Sequence, residues 1–174
     1  VSCFAQQPTD AALIQEALLQ KTTLANNSLV KNINFTNIGP TIMSGRVADV
    51  AVNPENTTEF YVGYASGGLW YTNNNGTTFT PVLDNAPTQN VGDIAVDWSS
   101  GTLWVGTGEK NSSRSSYAGI GILKSTDQGK TWINIGLPDT HHISRILINP
   151  KNADEVVVGV IGHLYSSNDE RGVF

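Results

Sequence analysis

The amino-acid sequence is poor in cysteine and in charge. Its 174 residues include a single cysteine, Cys3, which excludes a disulfide within the chain. Charged residues make up only 14%, and the 10 Lys and Arg residues are outnumbered by 15 Asp and Glu residues and form no basic run. Because nucleic-acid phosphates are bound by clustered Lys and Arg, we expect no nucleic-acid partner. No run of 18 apolar residues occurs, so we expect no membrane-spanning segment.

The first residues have the composition of the end of a secretory signal. Cys3 and Ala5 occupy the two positions at which a signal peptidase requires small residues, which predicts cleavage after Ala5. The alternative is that Cys3 is lipidated as the last residue of a lipobox and anchors the protein. We interpret residues 1–5 as a signal-peptide remnant and expect a protein that is secreted, periplasmic or on the cell surface.

Residues 6–34 are predicted to form a helical segment and a linker. The predicted helix runs from Thr9 to Gln20, with Thr9 as its cap and Asp10 in its first turn. Its apolar residues recur at helical spacing, namely Ala12, Leu13, Ala17, Leu18 and Leu19. We expect a surface helix that packs on the rim of the main domain, and a partner-binding helix is the alternative.

From Phe35 onward, short β-like runs recur three times. The first runs begin at Asp49, Asp93 and Arg145, at intervals of about 40–50 residues, the length of a propeller blade. Second runs end at Gly63, Gly106 and Gly159, and third runs begin at Gly68, Gly121 and Gly172. Helical solenoids have similar periods, but these runs show no helical periodicity, and a β-sandwich would lack the long repeat.

We therefore predict an all-β fold in which residues 35–174 form an incomplete β-propeller. A blade holds four strands and a ring needs at least four blades, so the sequence accounts for about two and a half blades. The chain ends within a repeat, and we expect the remaining blades to follow in the same full-length chain. An open ring leaves strand edges uncovered, so we expect this piece alone to be unstable.

A turn of defined composition follows two of the third runs. Its corresponding residues are Thr72, Asn74, Gly76 and Phe79 in the first copy, and Ser125, Asp127, Gly129 and Trp132 in the second. The glycine can adopt a positive φ, and the Asp or Asn side chain can accept backbone N–H groups of the turn. The aromatic ring is expected to pack between neighbouring sheets. Too few carboxylates converge at these turns for calcium, and we expect no cofactor.

These turns resemble the Asp-box, or bacterial neuraminidase repeat, Ser/Thr-x-Asp-x-Gly-x-Thr-Trp/Phe. Further segments resemble the large secreted bacterial Asp-box propeller proteins, which are related to the sortilin N-terminal propeller and often labelled glycosyl hydrolases. These segments are Phe35–Pro40, Met43–Val47, Gly63–Trp70, Gly106–Glu109 and Asn168–Gly172. The resemblance covers residues 35–174 and implies a propeller and an extracytoplasmic location. It leaves activity open, because sialidases, other glycosidases, sorting receptors and assembly factors all contain Asp-boxes.

In a propeller, the loops before the first strands and after the second strands open on one face, which we call the channel face. The candidate ligand-binding residues there are Arg46, Glu109, Arg114, His142, Arg145 and His163. Other polar residues of the same loops are Gln89, Asn90, His141, Tyr117, Asn168, Glu170 and Arg171. Guanidinium groups of this set suit carboxylates or sulfates. Arginine–carboxylate bonds that tie adjacent blades are the structural alternative.

Two functions follow. The first is a non-catalytic extracellular module that binds protein, peptide or glycan on the channel face. The second is a glycoside hydrolase, sialidase-like or another exo-glycosidase, with its site on that face. Glycosidases need two carboxylates across a sugar, and Glu109 is the candidate catalytic residue. Asp49 and Asp93 are expected instead to bind backbone or a neighbouring blade.

The three histidines raise the question of a metal. His141 and His142 are adjacent, and adjacent strand residues point to opposite faces, so at most one of them can join His163. The sequence therefore predicts no metal site. The tryptophans are expected to pack between blades rather than to stack on sugars.

Overall fold

The computed structural model describes residues 7–35, 38, 43–112 and 116–174. The predicted signal-peptide remnant and Arg114 lie outside these ranges. Helix α1 spans Ala11–Asn27, and no helix in the described part of the chain is long and apolar enough to cross a membrane. The predicted cap is wrong by one residue. Asp10 caps the helix, because its carboxylate accepts the Ala12 N–H at 2.8 Å.

The helix also continues seven residues beyond the predicted end at Gln20. Thr22 and Thr23 return their hydroxyl hydrogen bonds to carbonyls one turn earlier, at 3.0 and 2.9 Å, so these polar residues do not break the helix. It ends at Asn27, where the backbone of Ser28 leaves the helical region. No helix residue is buried.

Residues Met43–Phe174 form a compact unit of their own, and its described residues build three antiparallel sheets. The first sheet contains β1 (Val47–Val52), β2 (Phe60–Tyr64), β3 (Gly68–Thr72) and β4 (Thr80–Pro81). The second contains β5 (Val91–Asp97), β6 (Thr102–Thr107), β7 (Ile122–Ser125) and β8 (Ile133–Gly136). The third contains β9 (Ile143–Asn149), β10 (Asn152–Val160) and β11 (Gly172–Val173).

Each sheet is built in chain order, as a propeller blade is, and we call the sheets blades 1, 2 and 3. The first strands of successive blades contact one another, β1 with β5 and β5 with β9. Each first strand also carries a break in register near its start, between Val47 and Asp49 and between Val91 and Asp93 in the first two blades. These β-bulges turn the next residue toward the neighbouring blade.

The core lies between the blades. One cluster joins blades 1 and 2 through residues such as Leu69, Val91 and Val105, all almost completely buried. A second joins blades 2 and 3 through Trp104 and Ile143. Blades 1 and 2, and blades 2 and 3, therefore bury apolar faces against each other, which is the hydrophobic driving force for stacking blades. Val50 of blade 1 and Leu147 and Val157 of blade 3 remain exposed.

The turn after β7 has the hydrogen bonds expected from its sequence. Asp127 Oδ1 accepts the Thr131 N–H at 2.9 Å and the Ser125 hydroxyl at 2.7 Å. Gly129 has φ +86°, and the Trp132 indole N–H donates to the Val82 carbonyl of blade 1 at 2.8 Å. The turn after β3 repeats this pattern around Asn74, Gly76 (φ +80°) and Phe79, whose ring meets Phe60 edge-on.

Candidate functional site

The channel face is built by one backbone hydrogen bond repeated in all three blades. The residue before each first strand offers its carbonyl to an N–H just after the second strand. The pairs are Arg46 with Ala65 (2.8 Å), Asn90 with Gly108 (2.9 Å) and His142 with Ile161 (2.9 Å). The bond joins the two loops that the sequence predicted to share a face. It brings Arg46 and His142 to the same side of the sheets as Glu109.

Glu109 lies on this face, in the loop after β6, and is almost completely buried, with a side chain 1% exposed. Arg46 Nε donates to its Oε1 at 2.7 Å, and Arg46 Nη2 donates to the same oxygen. The pair ties blade 1 to the loop after β6 in blade 2. Half of the Arg46 side chain remains exposed, so the pair reaches from the interior to the surface of the face.

Among the described residues, the second carboxylate oxygen of Glu109 has no hydrogen-bond partner, and neither has Nδ1 of the buried His142 ring. Burial lowers the pKa of His142, while a hydrogen bond to the Glu109 backbone and the Glu109 charge act in the opposite direction. Buried polar atoms without partners are rare because they forgo solvation without replacement. Both atoms lie below the surface, so the part of this group that a ligand can reach is the half-exposed Arg46 side chain that Glu109 holds.

Asp93 is a fully buried carboxylate in the same region. Lys110 Nζ donates to its Oδ1 at 2.6 Å, and the Ile146 N–H of blade 3 donates to Oδ2 at 2.8 Å. Arg145 lies 3.8 Å from Oδ1, with 60% of its side chain exposed. Burial raises the pKa of Asp93, and the contacts with Lys110 and Ile146 partly offset this. Asp93 is therefore already bound, and it connects blade 2 to blade 3.

Asp49 performs the equivalent task between blades 1 and 2. Its Oδ2 accepts the Ile94 N–H at 3.2 Å. The sequence predicted that Asp49 and Asp93 bind backbone or a neighbouring blade, and both accept a backbone N–H of the next blade. These two carboxylates are consequently poorly placed to act on a substrate.

His163 and His141 meet beside Asp139. The two rings stack with centroids 3.5 Å apart, and His163 Nε2 lies 3.1 Å from Asp139 Oδ1. Burial, followed by the neighbouring His163 and His142, lowers the pKa of His141 to about 4. His142 points away from this group, toward Glu109, as expected when adjacent residues point to opposite faces. Among the described residues, Asp139, His141 and His163 offer metal-binding atoms within 4.8 Å of one another.

The other polar residues of the face serve mainly as supports. The Asn90 side chain donates to the Ala118 carbonyl at 2.9 Å, and the Tyr117 carbonyl accepts the Glu109 N–H at 3.0 Å. The remaining supports, described below, are Asn168, Glu170 and Arg171. Of the six candidate ligand-binding residues, the structure brings Arg46, Glu109 and His142 together. Arg145 lies at Asp93, His163 lies at Asp139, and Arg114 is outside the described residues.

Sequence reasoning missed Lys110 and Asp139. Lys110 directly follows Glu109 and could have been found as the one lysine in the second-to-third loops. Asp139 lies two residues before His141 in the sequence Pro-Asp-Thr, which is typical of an ordinary turn. Only the fold shows that this turn reaches the loop between β10 and β11.

A cavity of about 370 Å³ lies elsewhere, between the outer strands of blade 1 and the turn after β7. Its lining includes Tyr61, Tyr71, Asp84 and Lys130, and none of the channel-face residues. Burial raises the pKa of Tyr61 to about 12, so its hydroxyl stays protonated. The unpartnered buried groups lie on the channel face, and we therefore place the candidate site there.

Comparison with known proteins shows which solved structures have a similar fold. No protein-family model and no curated protein matches the chain. Among solved structures, it is similar to an ancestral GH74 enzyme, with 20% identity and a TM-score of 0.55 over 68% of this chain and 17% of that one. It is also similar to the GH74 enzyme of Niastella koreensis, with 23% identity and a TM-score of 0.50 over 64% of this chain and 16% of that one.

The chain has the fold of a partial β-propeller. It spans less than a fifth of the length of these GH74 structures. At this identity the likeness concerns the fold, and it gives a glycoside-hydrolase-like propeller architecture rather than an activity. The site must therefore be interpreted from its own chemistry.

Proposed function

We propose that this chain is part of an extracellular β-propeller that binds protein, peptide or glycan on its channel face, with glycan as the best-supported ligand. The observation that carries the proposal is the Arg46–Glu109 pair, in which a buried carboxylate holds an arginine side chain that is half exposed on the channel face. The extracytoplasmic location and the relation to secreted Asp-box proteins are part of this proposal.

Glycan hydroxyls match the groups that the face offers. A hydroxyl donates one hydrogen bond and accepts two, so it can accept from a guanidinium on this face and still donate to a neighbouring acceptor. Arg46 and Arg145 are both at least half exposed beside buried carboxylates. Charge-assisted hydrogen bonds of this kind are stronger than neutral ones and fix orientation. The GH74 enzymes with a similar fold add weak support for a sugar ligand.

The test is binding by the full-length protein to glycan and peptide arrays, followed by calorimetry on the best ligand. Glu109→Gln keeps the shape but removes the charge, and we expect affinity to fall at least about 10-fold, the cost of one charge-assisted hydrogen bond. Asp154→Asn is the matched control on an exposed part of β10 and should bind normally. The proposal would be refuted if the full-length protein bound neither glycans nor peptides. It would also be refuted if Glu109→Gln bound the ligand as tightly as the wild type.

A glycoside hydrolase is the second candidate, favoured by the similarity to GH74 enzymes. Among the described channel-face carboxylates, Asp93 is bound by Lys110 and Ile146, Glu170 accepts the Asp139 N–H, and Glu109 is the residue proposed as acid or base. Hydrolysis would need a second carboxylate at about 5–9.5 Å across the sugar. Turnover of a glycan by the wild-type protein, abolished in Glu109→Gln while binding persists, would establish this reading. Unchanged turnover would exclude Glu109.

A further inference from the structure

Two loops that are distant in sequence bring three metal-binding side chains together. Asp139 and His141 lie between β8 and β9, and His163 lies between β10 and β11. One donor atom from each side chain lies within 4.8 Å of the others. The closest pair, His163 Nε2 and Asp139 Oδ1, is 3.1 Å apart. Ligands of a tetrahedral zinc ion at 2.0–2.2 Å lie about 3.3 Å from each other, so this pair already has nearly the required separation.

The second ring nitrogen of His163 is oriented as in a metal-binding histidine. Nδ1 lies 2.7 Å from Ser166 Oγ. A hydroxyl that accepts the Nδ1 proton leaves the Nε2 lone pair facing Asp139, and such outer contacts set the tautomer and direction of ligating histidines. His163 is 4% exposed, so its ring is held by its surroundings.

The two loops are fastened to each other around this group. Asn168 accepts the His163 N–H at 3.0 Å and donates to the Asp139 carbonyl at 2.8 Å. Glu170 accepts the Asp139 N–H at 2.7 Å, and Arg171 donates to the His163 carbonyl at 2.6 Å. The backbones that carry Asp139 and His163 are therefore fixed relative to each other before any ion arrives.

His141 is the adjustable member. Its backbone has a positive φ of +53°, which non-glycine residues rarely adopt, and its carbonyl accepts the Gly119 N–H at 2.6 Å. Strained backbone of this kind is concentrated at functional sites. Its ring stacks on His163 and makes no hydrogen bond to the described residues. The three donor atoms lie within 4.8 Å of one another, so binding one ion would require this ring to move toward the other two side chains.

We propose that Asp139, His141 and His163 form a binding site for a divalent transition-metal ion of the zinc class. Two imidazoles and one carboxylate suit Zn²⁺, whereas Ca²⁺ requires six to eight oxygens. Asp139 is 37% exposed, so the fourth position of the ion faces solvent and takes water or a ligand group. The ion would join the blade 2–blade 3 connection to the loop before β11. The inference is independent of glycan binding, because the ion can be titrated alone.

The test uses the full-length protein, stripped with a chelator and titrated with ZnCl₂ by calorimetry, with Co²⁺ absorption as the spectroscopic readout. We expect one zinc per chain and tetrahedral Co²⁺ bands. Asp139→Asn and His141→Gln should each weaken binding by at least about 100-fold, and Ser166→Ala by about 10-fold through loss of the outer contact. Asp154→Asn, on an exposed part of β10, should stay within about twofold of wild type, and His142→Gln shows whether the adjacent histidine takes part.

Circular dichroism of each stripped variant confirms its fold, and the isosteric Asp139→Asn is the variant least able to disturb it. A simple His163–Asp139 hydrogen bond without an ion is the competing reading. Absence of zinc uptake, or equal affinity in wild type, Asp139→Asn and His141→Gln, overturns the proposal. Loss of zinc in His142→Gln with retention in His141→Gln overturns it as well, because the ion would then lie at a different histidine.

Discussion

A single side chain organises each turn after a third strand, and the two copies do so with different chemistry. In the second copy, Asp127 Oδ2 accepts the Thr131 hydroxyl at 2.6 Å. In the first copy, the Asn74 amide instead donates to the Thr78 hydroxyl at 2.8 Å. The threonine hydroxyl reverses its role, so both side chains are satisfied. The difference is that only Asp127 can titrate.

Asp127→Asn should destabilise the protein in a pH-dependent way. The Thr131 hydroxyl and N–H, with the Ser125 hydroxyl, lower the pKa of Asp127 to about 2, below about 3.9 in an unfolded chain. Its stabilisation is therefore complete above pH about 4 and lost as pH falls toward about 2. Urea denaturation of wild type and variant from pH 6 to 2.5 should show a gap that narrows with acid.

The reciprocal change Asn74→Asp is the internal control. It should raise the free energy of unfolding at pH 6, where the new carboxylate accepts hydrogen bonds, and should lose that gain as pH falls below about 4. A gap between Asp127→Asn and wild type that does not change with pH would mean that the carboxylate charge has no part in the turn.

At the scale of the strand, the glycines at equivalent positions of β2, β6 and β10 differ in what packs on them. A Cβ at Gly106 would lie 2.4 Å from Ile143 Cγ2 and 2.8 Å from Ile143 Cβ in the next blade. At Gly63 it would lie 2.9 Å from Val91 Cγ1, and at Gly159 its nearest neighbours are Ser144 and Arg145 of its own blade, at 3.3 Å or more. The repeat keeps glycine where the next first strand crosses closely.

Gly106→Ala should therefore destabilise the protein by about 1–3 kcal/mol, the usual cost of overpacking. Gly63→Ala should cost less, because Val91 Cγ1 is a side-chain end that can move. Gly159→Ala should lower the free energy of unfolding least, because only residues of its own blade lie near it. Chemical denaturation of the three variants gives the order directly. Equal losses at Gly106 and Gly159 would show that blade contact does not decide the cost.

At the scale of the whole molecule, carboxylates connect one blade to the next on the channel face. Asp49 accepts from Ile94, and Asp93 accepts from Ile146, each at the bulge of a first strand. Arg46 and Glu109 add a further connection between blades 1 and 2. Apolar packing alone would allow neighbouring sheets to slide, whereas these directional bonds set their register.

Asp93→Ala should be the most destabilising carboxylate change. It would leave Lys110 and the buried Ile146 N–H without their partner, and breaking such a buried pair costs about 3–5 kcal/mol. Asp49→Ala should cost about 1 kcal/mol, because this side chain is only partly buried and binds neutral N–H groups. Denaturant midpoints of both variants check this order. Similar losses of stability in the two variants would mean that the Asp93–Lys110 ion pair does not stabilise the contact between blades.

The repeating strands, both turns and the sharing of one face by two sets of loops were predictable from sequence. Each depends on local pattern: the spacing of apolar runs, a positive-φ glycine such as Gly129, and the topology rule for blades. The helix was predicted with the wrong cap and end, because Thr9 and Asp10 are both good capping residues and threonines in a helix are locally ambiguous.

The sequence by itself determined the architecture of this protein, since a repeated pattern of short apolar runs can bury its faces only by stacking one sheet on the next. Tertiary structure alone decided which polar residues meet. The Glu109–Arg46 pair spans 63 positions and His163–Asp139 spans 24. No local pattern encodes such pairs, because the partners are brought together by packing of the blades and not by their own spacing. The unpartnered oxygen of Glu109 and the meeting of His141 with His163 are consequences of that packing.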